Sequence, residues 1–215
     1  LADRVNVYDI IVPTSIDITM NSGVREELSD TVSDQKDAIS YMEGRIDYGV
    51  KVVSIFDTLK AHKNEYIYYR TDHHWTALGA YYAYCDFCAA AGFKPLALSD
   101  YELVSYDGFL GTFYSDTNSE KLLQNPDTVD TYRPRGDYSM VVTDNSGSVY
   151  SLPVFFDESN SQPSNKYSTF ISGDNQLSVI TNNDFEGDRS CVVIKESFGN
   201  AFAPYLIPLT NLSQR

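Results

Sequence analysis

The sequence predicts an α/β fold: a three-layer domain with a mostly parallel sheet, interrupted by a β-rich insertion from about Asp100 to Asn165. Two observations predict it. Short apolar, β-branched runs at 5–12, 50–55, 177–180 and 191–194 have the character of buried strands, and helix-like segments alternate with them. Between Asp100 and Asn165 the character changes to short β-like pieces punctuated by Asp107-Gly108, Asn145-Ser146-Gly147 and Pro153. A chain of 215 residues suits a single domain, 1–215.

Each element has a local reason. Val5, Val7, Ile10, Ile11 and Val12 read as a strand that Pro13 stops, because proline cannot donate to the ladder. From Val24 to Ile46 apolar residues recur near helical spacing, with acidic residues early and Arg45 late to suit the helix dipole. Val50–Ile55 reads as a strand, followed by a helix from Phe56 to Lys63 and an aromatic run, Tyr66–Tyr69. Thr76 to Phe93 reads as a buried helix, apolar all round, with Thr76 as N-cap and Gly92 as terminator. After the β-rich stretch, strands are expected at Leu177–Ile180 and Cys191–Ile194, then a short helix from Phe198 to Leu206 ended by Pro208. The sequence stops at Arg215, shortly after that helix, where a further strand is expected, so an edge of the sheet is expected to be absent from it.

Composition narrows the function classes. Sixteen basic against thirty acidic residues leave a formal charge of −14, which repels phosphate backbones and anionic lipid headgroups and argues against nucleic-acid binding. No apolar run is long enough to span a bilayer. Residue 1 is not Met, and the opening residues lack a basic and an apolar targeting region. The sequence therefore reads as an excerpt truncated at both ends, with any signal or anchor upstream. Three cysteines do not make a disulfide framework. Cys85 and Cys88, one helical turn apart with no second pair, read as core.

The chemistry concentrates in two places. Two of the three histidines and the only tryptophan fall within Asp72-His73-His74-Trp75, between an aromatic run and the start of a helix. In extended chain, residues two apart share a side, so Asp72 and His74 converge while His73 points away. A carboxylate placed so orients an imidazole. The second place is Val192-Val193-Ile194-Lys195-Glu196-Ser197-Phe198-Gly199-Asn200, an apolar strand running into a serine on a tight turn before a helix. Such a serine stands above the strand end, near backbone N–H groups that stabilise an oxyanion, and needs a base such as His74. Structural alternatives stand beside each assignment: Asp72–His74 as a helix-start cap, Ser197 as an N-cap. Arg70 is a substrate clamp or an ordinary ion pair, and Trp75 a sugar platform or a core residue. His73 has too few neighbouring ligands to suggest a metal, and no cofactor is expected.

The stretch Arg70-Thr71-Asp72-His73-His74-Trp75-Thr76-Ala77-Leu78-Gly79-Ala80 resembles the signature of the DHHW proteins of Gram-positive bacteria, which are SGNH-hydrolase-like. It is similar to the alginate O-acetylation proteins, whose permuted domain places Asp-x-His before the nucleophilic serine. The resemblance implies Ser197 as nucleophile, His74 as general base and acid, and Asp72 as its orienting group. It implies acyl-ester chemistry on carbohydrate outside the cytoplasm: O-acetyl hydrolysis or transfer through an acyl-enzyme. The partners would be a polysaccharide or small acyl-ester substrate and a membrane acyl-donor protein. The chain departs from the SGNH pattern in having Lys195-Glu196-Ser197 in place of Gly-Asp-Ser. Oxyanion donors are then sought in the Ser197 N–H, Asn200 and the Gly111 backbone. The alternative function is a non-catalytic carbohydrate-binding or surface-assembly protein on the same fold, using its seventeen tyrosines for stacking.

Overall fold

A computed structural model describes residues 5–214, and the side chains of 5–210. The chain opens with β1 (Val7–Asp9), then α1 (Ser15–Ile18), α2 (Ser22–Glu27) and α3 (Gln35–Glu43). Next come β2 (Val50–Val52), α4 (Phe56–Ala61) and the long helix α5 (Ala77–Ala91). The middle of the chain holds β3 (Glu102–Phe109), α6 (Thr112–Thr117), α7 (Glu120–Leu123), β4 (Asp127–Arg133), β5 (Tyr138–Thr143) and β6 (Val149–Leu152). The last part supplies β7 (Leu177–Asn182), β8 (Ser190–Val193), α8 (Gly199–Phe202) and β9 (Asn211–Gln214).

The mixed α/β expectation holds, but the mostly parallel sheet does not. The described strands form a β1–β2 pair, a β3–β4 pair and a five-stranded sheet in the order β6-β5-β7-β9-β8. Only β1–β2 and β8–β9 run parallel; the other pairings are antiparallel. Connection length explains part of this. β5 and β6 are joined by a tight turn at Asp144–Ser148, which permits only an antiparallel neighbour, whereas the crossover between β1 and β2 is long enough to return the chain in the same direction. A strand does follow the last helix within this sequence, contrary to expectation: β9, which lies inside the sheet between β7 and β8 and not at an edge. β5 of the β-rich stretch pairs with β7 beyond it.

Local signals set the helices with mixed success. The helix read over 24–46 is two helices, α2 and α3, because Asp34 caps a fresh start by accepting from the Asp37 N–H at 2.9 Å. The helix read over 76–93 is α5, with Thr76 at its N-cap and Gly92 at φ +75° closing it in the left-handed conformation. The face bearing Ala80, Ala83, Tyr84 and Cys88 is buried. Small residues there let α8 approach, and Tyr205 caps the contact by donating to the Ala77 carbonyl at 2.8 Å. The aromatic run forms no strand; Tyr68 makes one antiparallel bridge to Trp75, so 68–75 is a tight loop leading into α5. Cys85, Cys88 and Cys191 are free thiols.

Candidate active site

The loop carrying Asp72 and His74 is held from below by one carboxylate. Asp127, the first residue of β4 and fully buried, accepts from the N–H groups of Arg70 and Thr71, from Thr71 Oγ1 at 2.7 Å, from Arg70 Nε at 3.0 Å and from the Tyr66 hydroxyl. A buried charge is tolerable only when saturated in this way. Because Asp127 is paired with Phe109 in the β3–β4 ladder, this strand pair also sets the segment that follows β3, Leu110–Thr112, against Asp72. There Gly111 lies so close that a Cβ would overlap the Asp72 carboxylate, and Thr112 donates its N–H to Asp72 Oδ2 at 2.8 Å.

Asp72 is 3% exposed. Burial pushes its carboxyl up, but hydrogen bonds from the His74 ring, the Thr112 N–H and the His74 N–H, with the nearby imidazole charge, outweigh this and hold it at about 2. It is therefore an ionised acceptor. Its Oδ1 lies 2.6 Å from His74 Nδ1, which must carry the proton, leaving Nε2 as the acceptor toward Ser197. Ser197 Oγ is 2.7 Å from that nitrogen. The sequence-derived residues 72, 74 and 197 thus form one continuous hydrogen-bond chain spanning 125 positions of sequence.

Aromatic rings enclose the imidazole. Tyr167 stacks on His74 with centroids 4.2 Å apart and planes 14° apart, and its hydroxyl donates to the Ser197 carbonyl at 3.0 Å. Burial, reinforced by the Asp72, Glu196 and Asp174 charges, holds this phenol well above its ordinary range, so it stays an O–H donor. His73 lies beside His74 with centroids at 3.9 Å, its Nδ1 2.7 Å from Thr112 Oγ1. Burial and then the His74 charge press His73 below its ordinary value, favouring the neutral ring. Asp72, His73 and His74 each present a potential metal-ligand atom within 4.8 Å, but those of Asp72 and His74 are engaged with each other.

The other sequence-derived residues take structural contacts. Trp75 is 1% exposed, too buried to stack on a sugar; its indole N–H donates to the Phe198 carbonyl at 2.9 Å and ties the nucleophile turn to α5. The Arg70 guanidinium is turned to Asp127 and the Pro126 carbonyl, the ion-pair alternative. The Gly111 N–H is engaged by Thr71 Oγ1 at 3.1 Å, and the Asn200 side chain accepts from Lys195 and donates to Asp174 at 3.0 Å. The Ser197 N–H has no acceptor among the described residues, while the Phe198 N–H donates to the Glu196 carboxylate at 3.0 Å. Asp127, Thr112 and Tyr167 escaped the sequence reading. Each is an ordinary residue in an ordinary setting, and only long-range folding brings it to the site.

An Asp–His–Ser hydrogen-bond chain thus stands at a loop–turn junction of a mixed α/β fold. The chain belongs to the DHHW protein family, whose model matches residues 1–212. Among solved structures, the crystal structure of a DHHW family protein from Eubacterium siraeum is 32% identical, covers 98% of this chain and 69% of its own, and superposes with a TM-score of 0.86. Bacillus cereus PatB1 shares the fold at 20% identity and TM-score 0.77, covering 99% of this chain and 74% of its own. A structure of PatB1 with a sulfonyl adduct matches equally well, at 19% identity. No curated protein matches the sequence. Among the described residues, no helix is long and apolar enough to cross a membrane.

Proposed function

We propose that the protein is an SGNH-type serine O-acetylesterase or O-acetyltransferase that acts on carbohydrate outside the cytoplasm, through an acyl-enzyme on Ser197. The observation that carries this is the unbroken chain from Asp72 through His74 to Ser197, at 2.6 and 2.7 Å. In it, His74 Nε2 takes the proton as Ser197 Oγ attacks an ester carbonyl, and Asp72 stabilises the resulting imidazolium. The oxyanion meets the Ser197 N–H. The tetrahedral species collapses, the bond to the leaving alkoxide breaks, and His74 returns its proton to that oxygen. A water or sugar hydroxyl then loses its proton to His74 and attacks the acyl carbonyl; the bond from that carbon to Ser197 Oγ breaks, and His74 returns the proton to Oγ, regenerating Ser197. The acyl group arrives on a small ester or from a membrane donor protein, and the acceptor is polysaccharide.

Fluorophosphonate labelling with site mapping, beside p-nitrophenyl acetate turnover, tests this in wild type, Ser197→Ala and His74→Ala. We expect label on Ser197, with turnover lost in both variants. An unlabelled serine together with variant-independent turnover, in folded protein, sinks the proposal and favours a carbohydrate-binding role.

A further inference from the structure

We infer that Tyr167 is a positioning residue that fixes the general base against the nucleophile. The inference rests on the serine acyl-transfer reading for its catalytic consequence, and on geometry for the rest. Tyr167 lies in the short helical segment Pro163–Thr169, far in sequence from both His74 and Ser197, and is 8% exposed. One rigid side chain touches both partners: its ring lies against the His74 imidazole, and its hydroxyl donates to the Ser197 carbonyl. Rotation of the imidazole about its side-chain bond would break the stack. Movement of the 197–198 peptide would break the hydrogen bond. The Tyr167 ring is itself held edge-on by Tyr69, at 6.1 Å and 90°, and by Phe170, at 5.3 Å and 64°. The brace is therefore locked by packing before any substrate arrives, as a productive nucleophile–base geometry requires.

The two contacts separate by substitution. Tyr167→Phe keeps the ring and removes the hydroxyl; Tyr167→Leu keeps apolar volume and removes the stack. Tyr205→Phe is the control, since it deletes a buried hydroxyl that donates to a carbonyl, that of Ala77, outside the triad. The readouts are the rate of fluorophosphonate labelling at Ser197, kcat and KM for p-nitrophenyl acetate, the thermal midpoint, and the downfield proton resonance of the His74 Nδ1–H bonded to Asp72. We expect labelling and kcat to fall about tenfold in Tyr167→Phe and about 100-fold in Tyr167→Leu, with KM unchanged. Tyr205→Phe should lower the thermal midpoint yet label at the wild-type rate. If Tyr167→Phe and Tyr205→Phe behave alike, the tyrosine is merely structural and the inference is overturned. If wild type itself never labels, the acyl-transfer reading fails, and the resonance decides the brace: loss in Tyr167→Leu with retention in Tyr205→Phe supports it, and persistence in both overturns it.

Discussion

At the scale of single residues, the site turns on the state of one carboxyl. Asp72 is buried, which works against ionisation, yet its hydrogen bonds hold it at about 2, below the ordinary 3.8. A depressed folded value stabilises the fold at any pH above the unfolded value, and that contribution disappears as pH falls from 3.8 toward 2. Its size is about 2 kcal/mol. We therefore expect Asp72→Asn to unfold in urea with a shallower loss of stability between pH 4 and pH 2 than wild type. An equal slope in the two proteins would show that the carboxyl is not depressed by the fold. The same substitution puts an amide opposite His74 Nδ1 and favours the wrong tautomer, so turnover should drop by about 10³-fold or more even at pH 7. Parallel assays of stability and turnover separate the two effects. The rare residues made this part of the site legible in the sequence: two histidines and a tryptophan crowded beside an aspartate are informative without any fold.

At the scale of elements, legibility depended on how far the decisive contact lay along the chain. α5 could be read in full because its N-cap, its apolar composition and its closing glycine all lie within the segment. Strand direction could not, since it depends on which strand lies beside which. β9 enters the sheet between β7 and β8, antiparallel to the one and parallel to the other. The long helix expected over 24–46 failed for a nearer reason: the apolar period continues through Leu28 and Val32, but Asp34, just after them, caps a fresh helix start. β4 of the antiparallel β3–β4 pair is the element whose function was hidden, because its contribution is a single aspartate in an otherwise ordinary strand. Removing that carboxylate leaves the Arg70 and Thr71 N–H groups without their acceptor in a buried place. Asp127→Ala should accordingly cost about 3 kcal/mol in chemical denaturation and slow Ser197 labelling as the 70–74 loop loosens. A variant that unfolds at the wild-type denaturant concentration would mean that the loop is held by packing alone.

At the scale of the whole molecule, charge decides what approaches the site. The formal charge is −14, and carboxylates gather at the site as well: Glu196 and Asp116 act on His73, and Asp174 acts on Tyr167. Two cations close in sequence to triad residues are each paired with a carboxylate, Lys195 with Asp174 at 2.9 Å and Arg70 with Asp127. An anionic ester must then enter against a field that extends about 30 Å at 0.01 M salt and contracts to about 8 Å at physiological ionic strength. A neutral ester feels no such barrier. We expect kcat/KM for p-nitrophenyl acetate to stay level across that range, while kcat/KM for an ester bearing a free carboxylate rises severalfold as salt is added. Steady-state kinetics on the two esters at matched pH measure the difference directly. A rate for the anionic ester that falls with salt would reveal a local cationic path overriding the net charge, and would turn the search for the acceptor from neutral sugars to acidic ones.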